Sequence, residues 1–423
     1  MQSMSFALSK DQRQAEFRPL LILADLLIVA IGLGTLFAVE GTVFPLLNRL
    51  LALCLLLLYV PCHFYYRLRV APELWLFGAF FLWSVVSGAI VAAGQEAYWA
   101  YAMMLARFGG LALAVAGFSM AKKSATNGFF VMALLALYLA VYAQVYGLYA
   151  LGIDPDRRIV PGSLPWNPNS LGLIACYGIA GLAYLWGSRI KPVFRVAIVP
   201  VAVLLALTLV SSASRKSFAG LLAFTLLWLA FCYGRRVLRS VPAMTLTAAV
   251  LVGLGCLSYY ALGETRLGRR YESAAMDRGL DETRSGMYRR AWELFRDHPI
   301  AGVGLGNFTK LSGYDMYSHS DYAETLSTTG VVGFILYFSI YAVLWSRIAR
   351  VRRRTNDRSV KYQMGVCQAL LLTMLALGIG VPHFLVFYTW FVLAGMIGYT
   401  CALARDLPAA GGTFPRRIVP MRA

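Results

Sequence analysis

The chain has 423 residues, of which 59% are hydrophobic and 14% charged, with a mean hydropathy of +0.64. Soluble globular chains carry roughly 25% charged and 45–50% apolar residues, so soluble cytosolic, secreted and disordered classes are excluded and an all-α polytopic membrane protein remains. The formal net charge is +19, from 39 Lys and Arg against 20 Asp and Glu. In a soluble protein that imbalance would point to nucleic acid; in a membrane protein it records which loops stay in the cytoplasm.

Apolar runs of about 20 residues, enough to cross roughly 30 Å of hydrocarbon, fall in chain order at 20–39, 43–64, 73–93, 97–120, 127–151, 169–187, 193–212, 216–233, 241–262, 327–346, 362–381 and 384–403. Twelve spans are therefore expected. The first is too long for a cleavable signal peptide, and no small-residue cleavage site follows it. Most Lys and Arg lie in one set of alternate loops, among them Lys122, Lys123, Arg235, Arg236 and a run from Arg347 to Lys361. That set carries the whole net charge of +19, and the other loops are almost neutral. By the positive-inside rule both termini are expected in the cytoplasm. Asp25, Arg49 and Arg107 lie within spans, where a charge facing lipid is costly, so they are expected to point inward, paired or functional. The seven cysteines fall in or beside spans, no Cys–His spacing suits zinc, and neither a disulfide framework nor a metal site nor any cofactor is indicated.

Two outer loops are large enough to carry chemistry, 152–168 and 263–326. The second is expected to form a helical, periplasmic part of the site within a single transmembrane domain. Within it, 284–298 reads as an amphipathic helix. Met287, Ala291 and Leu294 recur on one face, as do Tyr288, Trp292 and Phe295. Asp281 and Glu282 suit its N-terminus, and Pro299 stops it. Arg284, Arg289, Arg290 and Arg296 decorate it. One reading lays this helix on the membrane surface with solvated arginines; the other gives the arginines to a substrate. Gly302, Gly304 and Gly306 follow, with a spacing that is not the nucleotide fingerprint and that follows a helix rather than a strand. A tight turn with close backbone approach is expected there. His319, one of only four histidines, leads into the next span.

The turn Ser211-Ser212-Ala213-Ser214-Arg215-Lys216-Ser217 sits at the outer boundary between two spans. Basic chains there are open to plain snorkelling. Yet an Arg-Lys pair on the outer side opposes the charge bias of the chain and suits a phosphate or diphosphate, which arginine binds bidentately.

Several ordered elements resemble the O-antigen ligase and polymerase superfamily over roughly 165–335. They are Ser214-Arg215; Arg284 with Tyr288, then Asp297-His298-Pro299 through Phe308; His319, Asp321, Tyr322, Leu326, Gly330 and Gly333; and Asn167-Pro168-Asn169. Ser320 stands where the family commonly has asparagine, a departure that bears on acceptor recognition and leaves the imidazole in place. The resemblance implies a bacterial inner-membrane glycosyltransferase whose active site faces the periplasm. It implies transfer of a glycan from undecaprenyl diphosphate to a sugar hydroxyl without metal, nucleotide or nucleic acid, with membrane lipids as surroundings, in a fold like those of large polyprenyl-dependent glycosyltransferases. In ligases the acceptor is the lipid A core; in polymerases it is another lipid-linked repeat. Carried over by residue, Arg215 and Arg284 take the diphosphate and His319 the acceptor hydroxyl. Lys216, Asn169, Arg289, Asp321 and Tyr322 are expected to bind substrate, and Asp321 and Glu324 are candidates to orient the imidazole. Guanidinium groups stay protonated at any working pH and offset charge on a leaving diphosphate; a histidine of ordinary pKa accepts a proton near neutrality. Direct displacement with inversion is expected. A secondary transporter built as two six-span halves and a non-catalytic assembly scaffold are the rival classes.

Overall fold

The computed structural model describes residues 18–34, 44–66, 68–91, 95–150, 168–188, 191–237, 240–263, 265, 267–269, 271–272, 278–314 and 316–407. Residues 152–167, with Arg157, Arg158 and Asn167, and the basic terminal segments lie outside them. Every regular element among the described residues is helical. In chain order these are α1 (Arg18–Gly34), α2 (Phe44–Tyr65), α3 (Pro72–Val91), α4 (Gln95–Lys122), α5 (Thr126–Ala150), α6 (Pro168–Trp186), α7 (Pro192–Ser211), α8 (Arg215–Val237), α9 (Val241–Gly263), α10 (Arg278–Asp297), the one-turn α11 (Asn307–Leu311), α12 (Asp321–Arg354), α13 (Arg358–Leu377), a 3₁₀ turn (His383–Leu385) and α14 (Phe387–Arg405).

Each of the twelve apolar runs falls on a helix. Among the described residues, ten helices are long and apolar enough to cross a membrane, and two shorter apolar ones, Pro19–Gly34 and Thr247–Gly263, match the first and ninth runs. The chain is a polytopic helical membrane protein. Proline opens α3, α6 and α7, where its missing N–H costs nothing. The Asp357 carboxylate accepts from Ser359 N at 2.8 Å and caps α13.

Three expectations about charge need correction. Arg49 and Arg107 do not point inward; both are exposed on α2 and α4. Asp25 pairs with neither. It binds Lys122 and Asn127, because α1 packs on α4 and α5 at that level. Arg347 and Arg352 are not loop charges, since α12 runs on to Arg354. Arg347 meets the buried Glu73 of α3 at 2.8 Å. Arg352 donates to Gln368 at 2.6 Å and lies over the Phe231 ring.

The segment between α9 and α12 folds back onto the bundle. Trp292 of the second apolar face of α10 is exposed, while the Met287, Ala291 and Leu294 stripe is buried with Val303 and Phe308, so this face packs on protein, mainly α12. What receives it is a break in α12. Gly330 has φ 65 and ψ −170, a region open essentially to glycine alone. The break turns Val331 N away from the helix to Pro299 O, 2.9 Å. Ser327 O and Thr328 O are thereby free to accept from Val303 N and Gly304 N, each at 2.8 Å, and Trp83 Nε1 donates to Thr329 O at 2.8 Å. The glycine turn does approach backbone closely. Gly302, Gly304 and Gly306 all have positive φ, and a Cβ on Gly302 would strike the Thr328 carbonyl carbon.

Gly330→Ala should therefore be severely destabilising. The new Cβ would strike Ile300 O, and the backbone conformation costs on the order of 1–3 kcal/mol for a residue other than glycine. A fall in the thermal midpoint of the purified protein, with tryptic nicking between α10 and α12, is the expected result; an unchanged midpoint would contradict it.

Candidate active site

α8 begins where its serines dictate. Ser214 caps it: Ser217 N reaches Ser214 Oγ at 3.4 Å, and the two hydroxyls are 2.8 Å apart. Ser212, Ser214 and Ser217 are fully buried. Their role is to end one span and start the next, and they leave Arg215 and Lys216, half-buried, in the first turn of α8. Cations there run against the helix dipole, which favours anions at an N-terminus. Two positive side chains in the first turn of a helix make a position suited to a phosphate.

His319 lies two residues before α12, in the 312–320 link. Its φ is 61, left-handed for a residue with a side chain, and its neighbours hold it there. Ser318 N donates to the buried Glu324 carboxylate at 2.6 Å, and Ser320 caps α12 through Ala323 N at 3.3 Å. The Tyr317 ring stands edge-on to the imidazole, centroids 4.5 Å apart. Burial, then the charges of Lys216 and Arg284, push the His319 pKa down to about 4. The imidazole is therefore neutral at physiological pH.

What joins α8, α10 and α12 is the turn after α13. Three successive carbonyls each accept from a different element: Gly378 O from Asp321 N at 2.7 Å, Ile379 O from the Tyr288 hydroxyl at 2.9 Å, and Gly380 O from Lys216 Nζ at 2.8 Å. Arg284 lies one helical turn before Tyr288. Arg215 is held through its carbonyl, which accepts from the Tyr271 hydroxyl at 3.0 Å. The α6 N-terminus joins the same corner, where Ser217 Oγ lies 3.5 Å from Asn169 O.

The turn itself is pinned by His383, which is completely buried. Its Nε2 lies 2.8 Å from Met374 O; a carbonyl only accepts, so Nε2 carries the proton and Nδ1 is left to accept from Tyr177, at 3.2 Å. Burial, with a smaller push from Lys216, takes its pKa down to about 3.

The remaining residues named from sequence are arranged differently. Asp321 and Glu324 do not orient the imidazole. The Asp321 carboxylate turns into the bundle, accepting from the Tyr337 hydroxyl at 2.8 Å and Phe384 N at 3.3 Å, while Glu324 braces the backbone of Ser318. The Tyr322 hydroxyl is spent on Leu375 O at 2.7 Å, and its ring stacks on Phe338. Arg289 is exposed on α10, away from the 378–380 turn. Asn307, though in a sequon, is buried and donates to Val303 O. Sequence reasoning missed the 378–380 turn and His383. The available signal was a Gly-Ile-Gly-Val-Pro-His run between two closely spaced spans.

Residues 200–338 match the sequence model of the O-antigen ligase family. Over this segment, about a third of the chain, the sequence is similar to that family. The match spans Arg215, Lys216, Arg284, His319 and the Gly330 break, and it bears out the resemblance read from the motifs. No curated protein matches the chain. Members of the O-antigen ligase family are membrane glycosyltransferases, ligases or polymerases, acting on lipid-linked glycans. Two parts of the corner lie outside the matched segment: Asn169 before it, and the 378–383 turn after it. Among the described residues no cluster of His, Cys, Asp or Glu is disposed to hold a metal.

His383→Ala removes a buried ring and its contacts with Met374 O, Tyr177 and Thr389. It should cost about 2–4 kcal/mol of stability, read as a lowered thermal midpoint in detergent. Tyr177→Phe, which removes only a hydroxyl, should cost about 1 kcal/mol.

Proposed function

We propose that the protein is an O-antigen ligase-type glycosyltransferase of the bacterial inner membrane, with its active site on the periplasmic side. It moves a glycan from undecaprenyl diphosphate to a sugar hydroxyl of the lipid A core. The observation that carries this reading is the convergence of Arg215 and Lys216, Arg284, and His319 on one turn. Two cations at the N-terminus of α8, with a third on α10, suit the diphosphate of the donor, and a neutral imidazole near them suits a hydroxyl that must lose its proton.

In the reaction, the acceptor oxygen attacks the anomeric carbon of the donor sugar and forms the new glycosidic bond. The bond from that carbon to the diphosphate oxygen breaks, and its electron pair leaves with the diphosphate. Arg215, Arg284 and Lys216 stabilise the developing charge, and His319 takes the hydroxyl proton. Attack opposite the leaving group inverts the anomeric carbon. Neither a metal nor a nucleotide enters these steps.

The low pKa of His319 ties base strength to donor binding. In the free protein Lys216 and Arg284 oppose protonation of the imidazole. A bound diphosphate offsets both charges, so the imidazole becomes a stronger base when a donor is present to react. The sign is testable. His319 is deprotonated, and competent, above its folded value, so kcat/KM should stay level as pH falls from 8 toward 5 and drop near pH 4. The acid limb of kcat should lie higher, because the diphosphate is bound. Arg284→Gln should move the free-enzyme limb upward by removing one cation. A limb near 6.5 for both parameters would contradict the scheme.

Purified protein with a lipid-linked glycan and lipid A core should form a glycosidic product, whereas a transporter would only move the lipid. Arg215→Ala, Arg284→Ala and His319→Ala should each insert normally and lose transfer by on the order of 10²–10³-fold. Full activity in His319→Ala would remove the general base from the scheme. A cell lacking the protein should show core-only lipopolysaccharide; a core bearing a single repeat would instead indicate a polymerase.

A further inference from the structure

Arg49 and Arg107 play no part in the scheme above, and both are exposed on apolar helices. Around Arg49 the exposed face of α2 carries Leu46, Leu50, Leu53 and Leu57; near Arg107 the exposed residues of α4 include Trp99 and Met103. Such a face belongs against lipid, where a bare guanidinium is costly. No carboxylate among the described residues pairs with either arginine.

The two helices run side by side in the same direction. Leu56 faces Gly110, whose Cβ would sit 3.2 Å from Leu56 Cδ1, and Tyr59 meets Gly117 and Phe118. Seven residues before Leu56, on the same stripe of α2, stands Arg49. Arg107 lies three residues before Gly110, one turn along α4. At 1.5 Å per residue their heights differ by about 6 Å, and the axes of packed helices lie about 8–10 Å apart. That gap is within the span of two extended arginine side chains, which places the two heads to share one anion beside the α2–α4 contact.

The groove at this contact opens at the end of the bundle that holds the candidate site. Phe108, next to Arg107, packs its ring 6.0 Å from that of Phe387, the first residue of α14 after the His383 turn. An anion there must arrive with an apolar chain, because the groove is walled by leucines rather than by water-facing groups. We propose that Arg49 and Arg107 form a binding site for the diphosphate head of a polyprenyl lipid, with the chain lying along the exposed leucines of α2. The choice of polyprenyl carrier over bulk phospholipid rests on the transferase reading; the pairing of the two arginines does not. The site is separate from the Arg215 corner and would hold the donor at the protein–lipid boundary, one helix away from reaction.

The test uses full-length protein in phosphatidylcholine nanodiscs and undecaprenyl diphosphate as the probe, with bound lipid counted by native mass spectrometry. In an Arg215→Ala/Arg284→Ala background the probe should still bind. Adding Arg49→Gln/Arg107→Gln should weaken that residual binding by at least about tenfold, and Arg49→Lys/Arg107→Lys should keep most of it. Binding indifferent to the glutamine pair would overturn the proposal. So would equal displacement of the probe by phosphatidylglycerol, which would make the groove a site for bulk anionic lipid. Retained transfer in the Arg215→Ala/Arg284→Ala protein would refute the catalytic scheme while leaving this binding result to stand.

Discussion

Three backbone carbonyls, those of Gly378, Ile379 and Gly380, hold the working end of this protein together. Each is left without a helical partner because α13 has ended, and each is answered by a donor from a different part of the chain. At this turn α8, α10 and α12 each supply one donor, and the turn thereby ties the three helices together. The side chains of chemical interest are placed as a by-product. Lys216 is itself one of the donors, Arg284 is one turn from another, and His319 is two residues from the third. His383 secures the turn from beneath through groups that stay neutral.

A second exchange of backbone partners seats α10 and the glycine turn. A straight α12 would satisfy its own carbonyls and offer nothing to an incoming loop. The break at Gly330 opens two of them, and the loop supplies the donors. Glycine appears on both sides of this contact for one reason: the two backbones approach more closely than a Cβ permits. Long spans and irregular backbone thus coexist, with the irregular part buried against protein.

Much of the fold was legible because twenty-residue apolar runs are an unambiguous signal, and all twelve fell on helices. The candidate site was legible in its cations and its imidazole, since Arg215, Lys216, Arg284 and His319 are unusual in an apolar chain. Their framework was not. A carbonyl's partner depends on tertiary approach and leaves no mark on residue identity, so the 378–380 turn passed unnoticed. The serines around Arg215 and Lys216 are helix caps, a role not read from the sequence. Asp321 and Glu324 looked like partners for the imidazole and are braces turned away from it. The expectation that Arg49 and Arg107 point inward failed for a related reason: the cost of an exposed charge is a property of its surroundings, which include lipids as well as protein.

The order in which the chain is made gives the 378–380 turn a further significance. The residues that carry charge, up to Lys216 and then Arg284 and His319, are synthesised and inserted before α13 is complete. Until the turn and His383 follow, Lys216, Tyr288 and Asp321 have no common anchor. The candidate site is therefore completed late in biosynthesis, and a ribosome that stalls within α13 leaves behind a membrane-embedded chain that holds Arg215, Lys216, Arg284 and His319 without the turn that joins their helices.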